Sequence, residues 1–367
     1  MTVGFDAPLP PARTGVADYA ASLVTALRRH GTVEVNAKRA DVWLYHLGNN
    51  QLHREIYRRA LARPGVVILH DAVLQHFLLG SLNEHEYVEE FVFNYGEWHR
   101  ELARELWRGR ASSAMSQRYY AYPMLRRIAE TSHAVVVHNP AAARMVREHA
   151  PAARIVEIPL LFAPVDLPSD AEVQRYRQTL GLSPHQFVFG VFGYLRESKR
   201  IMNILRAFDR IHRMAPQSVL LFAGDFVSHD LARAAEPLLG APGVLHLHHL
   251  PEREFWLVAS AVDACINLRY PGAGETSAIS VRLMGIGKSV MVTLGEETSR
   301  YAETACFRIP HGVAEKASLT EHSIVIASLP QTAREIGKRA AGYIHSFHSL
   351  ERVSELYWET LCAHRCW

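Results

Sequence analysis

The stretch Arg269-Tyr270-Pro271-Gly272-Ala273-Gly274-Glu275-Thr276-Ser277-Ala278-Ile279-Ser280-Val281-Arg282-Leu283-Met284-Gly285-Ile286-Gly287-Lys288-Ser289-Val290 decides how this chain is read. Residues 264–268, just before it, are short and apolar, as a buried strand is. Pro271, Gly272 and Gly274 make the next segment a loop. A helix is expected to open near Thr276 and to stop at residues 285–287, ahead of the apolar run 290–294. The first N–H groups of a helix lack partners within it and favour an anion. Glu275 stands at that mouth, where a carboxylate is either a cap or a site residue. On a helix, Glu275 and Arg282 would share a face two turns apart. Most strand–glycine–helix junctions are only tight turns, so the rest of the chain has to decide.

At 367 residues the chain is long enough for two domains of ordinary size. Hydrophobic residues at 49% and charged residues at 21% make it a globular composition. No apolar run approaches the roughly 20 residues of a membrane span. The first residues lack the basic, apolar and small-residue pattern of a secretory signal, so the expected location is cytoplasmic. A net charge of +3 is too small to argue for a nucleic-acid partner. Lysine supplies only five positions (38, 199, 288, 316, 338) among the 40 basic residues, a skew read as the mark of a GC-rich genome. Cys265, Cys306, Cys362 and Cys366 are scattered without zinc spacing. The segment Cys362-Ala-His-Arg-Cys366 reads as a helix end, the thiols as reduced, and no metal is expected. His246, His248 and His249 fall in an apparent strand and read as structural.

A short strand over residues 2–5 leads into a Pro-rich loop, residues 6–15. Ala20, Leu23, Val24 and Leu27 then recur at helical spacing. Strands follow near 33–36 and 41–47, the second ending at Gly48-Asn49-Asn50. Residues 65–69 form a continuous apolar strand of the buried parallel kind that delivers His70-Asp71 at its end. Open α/β sheets bind ligands at the carboxyl ends of their strands, so this pair is a site candidate; a histidine capping the next helix is the alternative. Residues 72–110 are helical and aromatic and read either as core or as a wall for an acceptor. Another buried strand, 134–137, ends at His138-Asn139, and Asn139-Pro140 caps the helix after it. A Pro-containing linker, 162–170, closes this half.

The second half repeats the alternation. The strand 187–192 ends at Gly193 and is followed by Arg196, Lys199 and Arg200 before a helix at 201–213. Cations there oppose the usual preference for negative charge at a helix start, unless an anion binds among them. Strands at 219–223, 244–249, 264–268 and 290–294 alternate with helices, and two amphipathic helices at 332–345 and 350–362 end the pattern. Alternating strands and helices imply parallel sheets.

Together these pieces resemble the GT-B-fold retaining glycosyltransferases of the group-1 family (family four), over nearly the whole chain. Gly193-Tyr194-Leu195-Arg196-Glu197-Ser198-Lys199 is similar to that family's diphosphate-binding segment. Gly274-Glu275 through Arg282 to Val290 resembles its donor-sugar and nucleotide segment. Pro8-Leu9-Pro10-Pro11-Ala12-Arg13-Thr14-Gly15 resembles the loop that closes over the donor phosphate. The resemblance implies an α/β GT-B fold, with two Rossmann-like domains facing across a cleft. The boundaries expected are 1–165 on the acceptor side, 166–345 on the donor side, and a helix, 346–367, crossing back.

The implied activity moves a sugar from a nucleotide-diphosphate sugar to an acceptor hydroxyl with retention, without a cofactor or metal. Arg196 and Lys199 would neutralise the departing diphosphate, Glu275 would hold sugar hydroxyls, and His70 would stand near the reacting hydroxyl. Gly15, Thr276, Ser277 and Arg282 complete the donor-binding candidates. Asp71, Asn49, Asn50 and His138 are the acceptor-side candidates. Two positions depart from the family pattern. Arg282 stands where a second glutamate is usual, one residue closer to Glu275, and Tyr194 stands where an arginine is usual. Arg282 is left with three readings: meeting a phosphate, pairing with Glu275, or solvated. The alternatives are a non-catalytic nucleotide-sugar binder or partner subunit, and a nucleotide-sugar epimerase of the same fold. A dinucleotide oxidoreductase is weaker, because the first strand leads into prolines and not into Gly-x-Gly-x-x-Gly.

Overall fold

The computed structural model describes residues 1–12 and 14–364. Arg13 of the N-terminal loop and Cys366 of the terminal cysteine pair lie outside the described residues. The chain forms two compact units. Met1–Ala163, Pro271–Thr276 and the chain from Phe347 onward make the first, and Pro164–Tyr270 with Ser277–Ser346 make the second.

The first unit runs β1 (Thr2–Asp6), α1 (Gly15–Leu27), β2 (Thr32–Val35), β3 (Val42–Leu47), α2 (Arg54–Ala62), β4 (Val66–Leu69), α3 (Gln75–Ser81), α4 (Glu84–Tyr95), α5 (Arg100–Arg108), α6 (Arg126–Thr131), β5 (Ala134–Val137), α7 (Pro140–His149) and β6 (Ile155–Glu157). Its six strands pair in parallel in the order β2-β1-β3-β4-β5-β6. β4 (Val-Val-Ile-Leu) and β5 (Ala-Val-Val-Val) are buried along their whole length, as strands covered on both faces must be. The crossover between them carries α3–α6. There Tyr87 and Phe91 are fully buried and ring-packed with Trp107, Tyr95 and Tyr122, so this aromatic stripe is core. The exceptions are Phe93, half-buried under the Arg126 and Arg127 guanidiniums, and Trp98, 99% exposed.

The second unit runs α8 (Asp170–Thr179), β7 (Phe187–Phe192), α9 (Ile201–Met214), β8 (Ser218–Ala223), α10 (His229–Leu239), β9 (Val244–Leu247), α11 (Glu252–Ala261), β10 (Ala264–Asn267), α12 (Ala278–Gly285), β11 (Ser289–Thr293), β12 (Phe307–Ile309), α13 (Glu315–Ser328) and α14 (Pro330–Phe347). Its strands are also parallel, in the order β12-β11-β10-β7-β8-β9. Each sheet has a point where the strand order reverses, and ligands of open α/β sheets bind at the strand ends there. In the first sheet the reversal lies between β1 and β3, and in the second between β7 and β10.

Three sequence expectations shift. The helix after the glycine loop starts at Ala278, capped by Ser277, so Thr276 and Glu275 precede it and Glu275 shares no helix face with Arg282. Thr276 is unavailable as a cap because its hydroxyl is bonded to Asn139 and the His138 carbonyl. β9 stops at Leu247, which leaves His248 and His249 beyond the strand.

After α14, α15 (Leu350–Ala363) packs on α1 of the first unit. The Tyr19 and Tyr357 hydroxyls bond each other at 2.8 Å in full burial, and the Trp358 ring lies directly over Gly31. Removing one partner of a buried hydrogen bond leaves the other's polar group unpaired. Tyr357→Phe should therefore cost about 1–3 kcal/mol in urea unfolding. The double variant with Tyr19→Phe should cost less than the two single changes added together.

Candidate functional site

In the first unit three histidines stand at the carboxyl ends of adjacent strands. His46 lies on β3, and His70 and His138 follow β4 and β5. His46 Nδ1 is 3.0 Å from His70 Nε2, and His138 Nε2 is 3.3 Å from His70 Nδ1. His138 Nδ1 in turn donates to the Ile158 carbonyl at 2.9 Å. The Tyr19 ring stands edge-on to His70 at 4.9 Å between centroids. His70, only 9% exposed, has both ring nitrogens engaged by other histidines. His53 lies next to this group and donates from Nδ1 to the His46 carbonyl. Burial disfavours the charged ring in all of them. It pushes His53 and His138 down to about 4, and holds His46 and His70 well below the ordinary histidine range.

The remaining acceptor-side candidates hold loops together. Asp71 Oδ2 accepts from the Asn49 amide at 2.8 Å. Asn49 Oδ1 accepts from the Phe77 amide at 2.8 Å, and its Nδ2 meets His76. Asn50 is exposed and caps the short turn after β3 through the Leu52 amide.

The loop Pro271–Thr276 belongs to this unit and is held at the end of β5. Asn139 does this with one carboxamide. Its oxygen accepts from the Ala142 amide and caps α7. Its nitrogen donates to the Gly274 carbonyl and to Thr276 Oγ1, both at 2.9 Å. The Ala72 amide donates to the Ala273 carbonyl at 2.8 Å. Gly274 has φ +69°, and a Cβ there would lie 2.7 Å from Ala72 Cβ and 3.1 Å from Met145 Sδ, so only glycine fits. Glu275 Oε2 accepts from the Ala273 amide at 2.7 Å. At the other end of this unit's chain, Thr14 caps α1 through the Val16 and Ala17 amides. Gly15 is exposed, with open space where a side chain would stand.

In the second unit the loop after β7 and the first turn of α12 meet at the sheet's reversal point. Over Gly193, at φ +78°, a Cβ would lie 3.2 Å from Lys199 Nζ and 3.9 Å from Ile279. Lys199 is 5% exposed and donates to the Phe192 carbonyl. Its ammonium also acts on Cys265, opposing the burial that pushes that thiol up to about 12. Arg196 is exposed beside Tyr194. Arg200 already pairs with an internal carboxylate: its Nε donates to both oxygens of Glu315 at 2.9 and 3.1 Å, and Glu315 is buried. Ser277 Oγ caps α12 and accepts from Asn267 at 2.7 Å and from Arg269 at 3.4 Å. Arg282 donates to Glu252 at 2.5 Å and lies over the Phe255 and Trp256 rings, at 4.1 and 4.3 Å, which fastens α12 to α11.

Sequence reading did not anticipate Asn139 as the anchor of the glutamate loop, nor His46, His53 and Tyr19 around His70. The cue within reach was that β3, β4 and β5 each carry a histidine at or next to their carboxyl ends. Among the described residues no group of three or more His, Cys, Asp or Glu side chains has metal-binding geometry, and no helix is long and apolar enough to cross a membrane.

No protein-family model matches the chain, and no curated protein matches it in sequence. Solved structures match it in fold. HepE of Anabaena, crystallised with UDP and glucose, superposes with a TM-score of 0.69 at 15% identity, over 99% of this chain and 100% of that one. The sucrose-phosphate synthase of Thermosynechococcus elongatus gives 0.68 at 15% identity, over 99% and 100%. WaaG, a glycosyltransferase involved in lipopolysaccharide biosynthesis, gives 0.66 at 13% identity, over 98% and 99%. The fold is therefore α/β of the GT-B type, with two six-stranded parallel sheets.

Two outcomes follow. The unfolded value of a histidine, near 6.5, exceeds the folded value of about 4 for His53 and His138, so between these limits the unfolded chain binds more protons. Stability is then fully present above pH 6.5 and falls toward pH 4, by up to about 1.4 kcal/mol per pH unit for each such histidine. Amide exchange in β3–β5 should accelerate over that window, and exchange in β7, β8 and β10 should change less. Asn139→Ala should cost about 1–2 kcal/mol through its cap alone and expose the amides of residues 273–276 to exchange.

Proposed function

We propose that this protein is a glycosyltransferase. It moves a sugar from a nucleotide-diphosphate sugar to an acceptor hydroxyl, with retention at the anomeric carbon. The observation that carries this reading is Lys199, a buried cation set over Gly193 beside the first turn of α12, at the strand-order reversal of the second sheet. A departing nucleoside diphosphate develops negative charge, and preorganised cations and helix N–H groups lower its energy most when they are in place beforehand. Three structures of HepE hold UDP, UDP with glucose, or UDP-glucose, which supports this class of donor.

In this reading Lys199 and Arg196 neutralise the diphosphate, the part a divalent cation would otherwise play. Ser277 starts the helix that faces it. Glu275, on a loop pinned by Asn139, receives hydroxyls of the transferred sugar. Gly15, at the start of α1, has open space where a side chain would stand, which lets backbone approach a phosphate closely. Arg282, occupied by Glu252 and two rings, serves helix packing, so the nucleotide's ribose is recognised elsewhere. The acceptor oxygen bonds the anomeric carbon from the face the diphosphate leaves. The carbon–oxygen bond to the diphosphate breaks, and the acceptor's proton passes to the diphosphate oxygen.

The test is a panel of nucleotide sugars, followed for donor cleavage with and without acceptors. Turnover is expected with at least one donor, and folded protein that neither binds nor cleaves any donor refutes the proposal. Binding without cleavage would point to the non-catalytic binder, and an epimeric sugar formed without acceptor to the epimerase. Lys199→Ala and Glu275→Ala should each lower turnover by roughly 100-fold or more, with thermal unfolding showing the fold retained. Unchanged rates in both would contradict these roles.

A further inference from the structure

The histidine row admits one proton arrangement. A carbonyl only accepts, so the 2.9 Å contact to Ile158 requires the proton of His138 on Nδ1. In a neutral ring His138 Nε2 is then an acceptor, and the 3.3 Å contact places the proton of His70 on Nδ1. His70 Nε2 becomes an acceptor in turn, and the 3.0 Å contact places the proton of His46 on Nδ1. The row ends at His46 Nε2, which is wholly buried and has no hydrogen-bond partner among the described residues. An idle acceptor at that end costs less than an orphaned N–H would, which is what the reverse order would leave there. The neighbouring His53 is oriented the same way, with Nδ1 donating to the His46 carbonyl and Nε2 without a partner among the described residues.

We propose that His46, His70 and His138 form a one-way chain of neutral imidazoles whose direction is set by the Ile158 carbonyl. His46 and His138 are positioning residues that leave His70 unable to give or take a proton in sugar transfer. The consequence for catalysis rests on the transferase reading; the chain itself does not. His70 then presents the acceptor with a fixed carbon edge, and the acceptor's proton has to go to the leaving diphosphate.

The groups that titrate around the chain are His53 beside β3, His348 before α15, Tyr19 of α1, Tyr357 of α15 and Asp71 next in sequence to His70. The Asp71 carboxylate bonds the Asn49 amide, and Tyr19 and Tyr357 bond each other. His348 donates from Nδ1 to the Leu160 carbonyl. Burial keeps the row uncharged.

The experiment uses the full chain labelled with 15N-histidine. Long-range proton–nitrogen spectra read the tautomer of each ring, assigned by single substitutions. At pH 7 all three rings are expected neutral with the proton on Nδ1, and unchanged at pH 5.5. His70 found as imidazolium, or with its proton on Nε2, overturns the chain. His138→Phe removes the acceptor of His70 Nδ1–H, whereas His138→Gln keeps an acceptor near that place. The Phe variant is expected to show mixed His70 tautomers and a kcat lower by about 10-fold or more, with donor KM unchanged, as for a misoriented group. The Gln variant should restore both. In the wild type, kcat/KM should show no limb near pH 6.5; a limb there that His70→Asn abolishes overturns the positioning role. If His138→Phe does not fold, the wild-type spectrum and pH profile still decide. The expected tautomers without turnover of any donor would refute the transferase reading and uphold the chain.

Discussion

The first unit's candidate site hangs on one carboxamide. Asn139 sits where β5 ends, and three hydrogen bonds of 2.9–3.0 Å use both its donor and its acceptor ends. Aspartate would keep the helix cap and lose the loop. Serine would cap the helix and reach nothing further. Because one rigid group serves both, the loop carrying Glu275 inherits the fixity of the buried strand behind it. The tight fit of Gly274 against Ala72 and Met145 follows from that anchorage. In the role proposed for Glu275, meeting sugar hydroxyls, such a frame would matter, since small misplacements of a reacting group are expensive in rate.

In the second unit, partners sort the cations. Arg196, Lys199, Arg200 and Arg282 look alike as a sequence pattern. The structure gives Arg200 to buried Glu315 and Arg282 to Glu252 and two rings. Lys199 is held at the reversal point of the sheet and Arg196 is exposed near it. Arg200 also adopts a left-handed backbone, at φ 60°, a conformation uncommon outside glycine. The Nε–H that Arg200 shares between both oxygens of the buried Glu315 carboxylate helps to keep it there.

The architecture was legible because its signals are local. β4, β5, β7 and β8 are unbroken apolar runs, and Asn139-Pro140 and the glycine loop punctuate them. β12 and α13 were not legible. β12 is three residues long, and α13 buries Glu315, Thr320 and Ser323 along with its apolar residues, which erases the helical period. At the site, sequence located His70, His138, Glu275 and Lys199 at strand ends or helix mouths. It did not show that His70 is enclosed by two other imidazoles, because His46 reads as one more residue of a buried strand. Nor did it show the partner of Arg282, since Glu252 is 30 positions away.

The hydroxyl pair of Tyr19 and Tyr357 joins residues 338 positions apart, with the entire second unit encoded between them. During synthesis α1 and the first sheet therefore emerge long before α15 exists to cover them. The first unit is begun early and completed late, and in the interval the α1 face around Tyr19 and Gly31 stays open. Contacts of such separation slow folding and lengthen the exposure of apolar surface. The second unit, by contrast, is nearly continuous in sequence and can reach its native packing first. In a chain laid out this way the unit begun first is the one whose last piece arrives last.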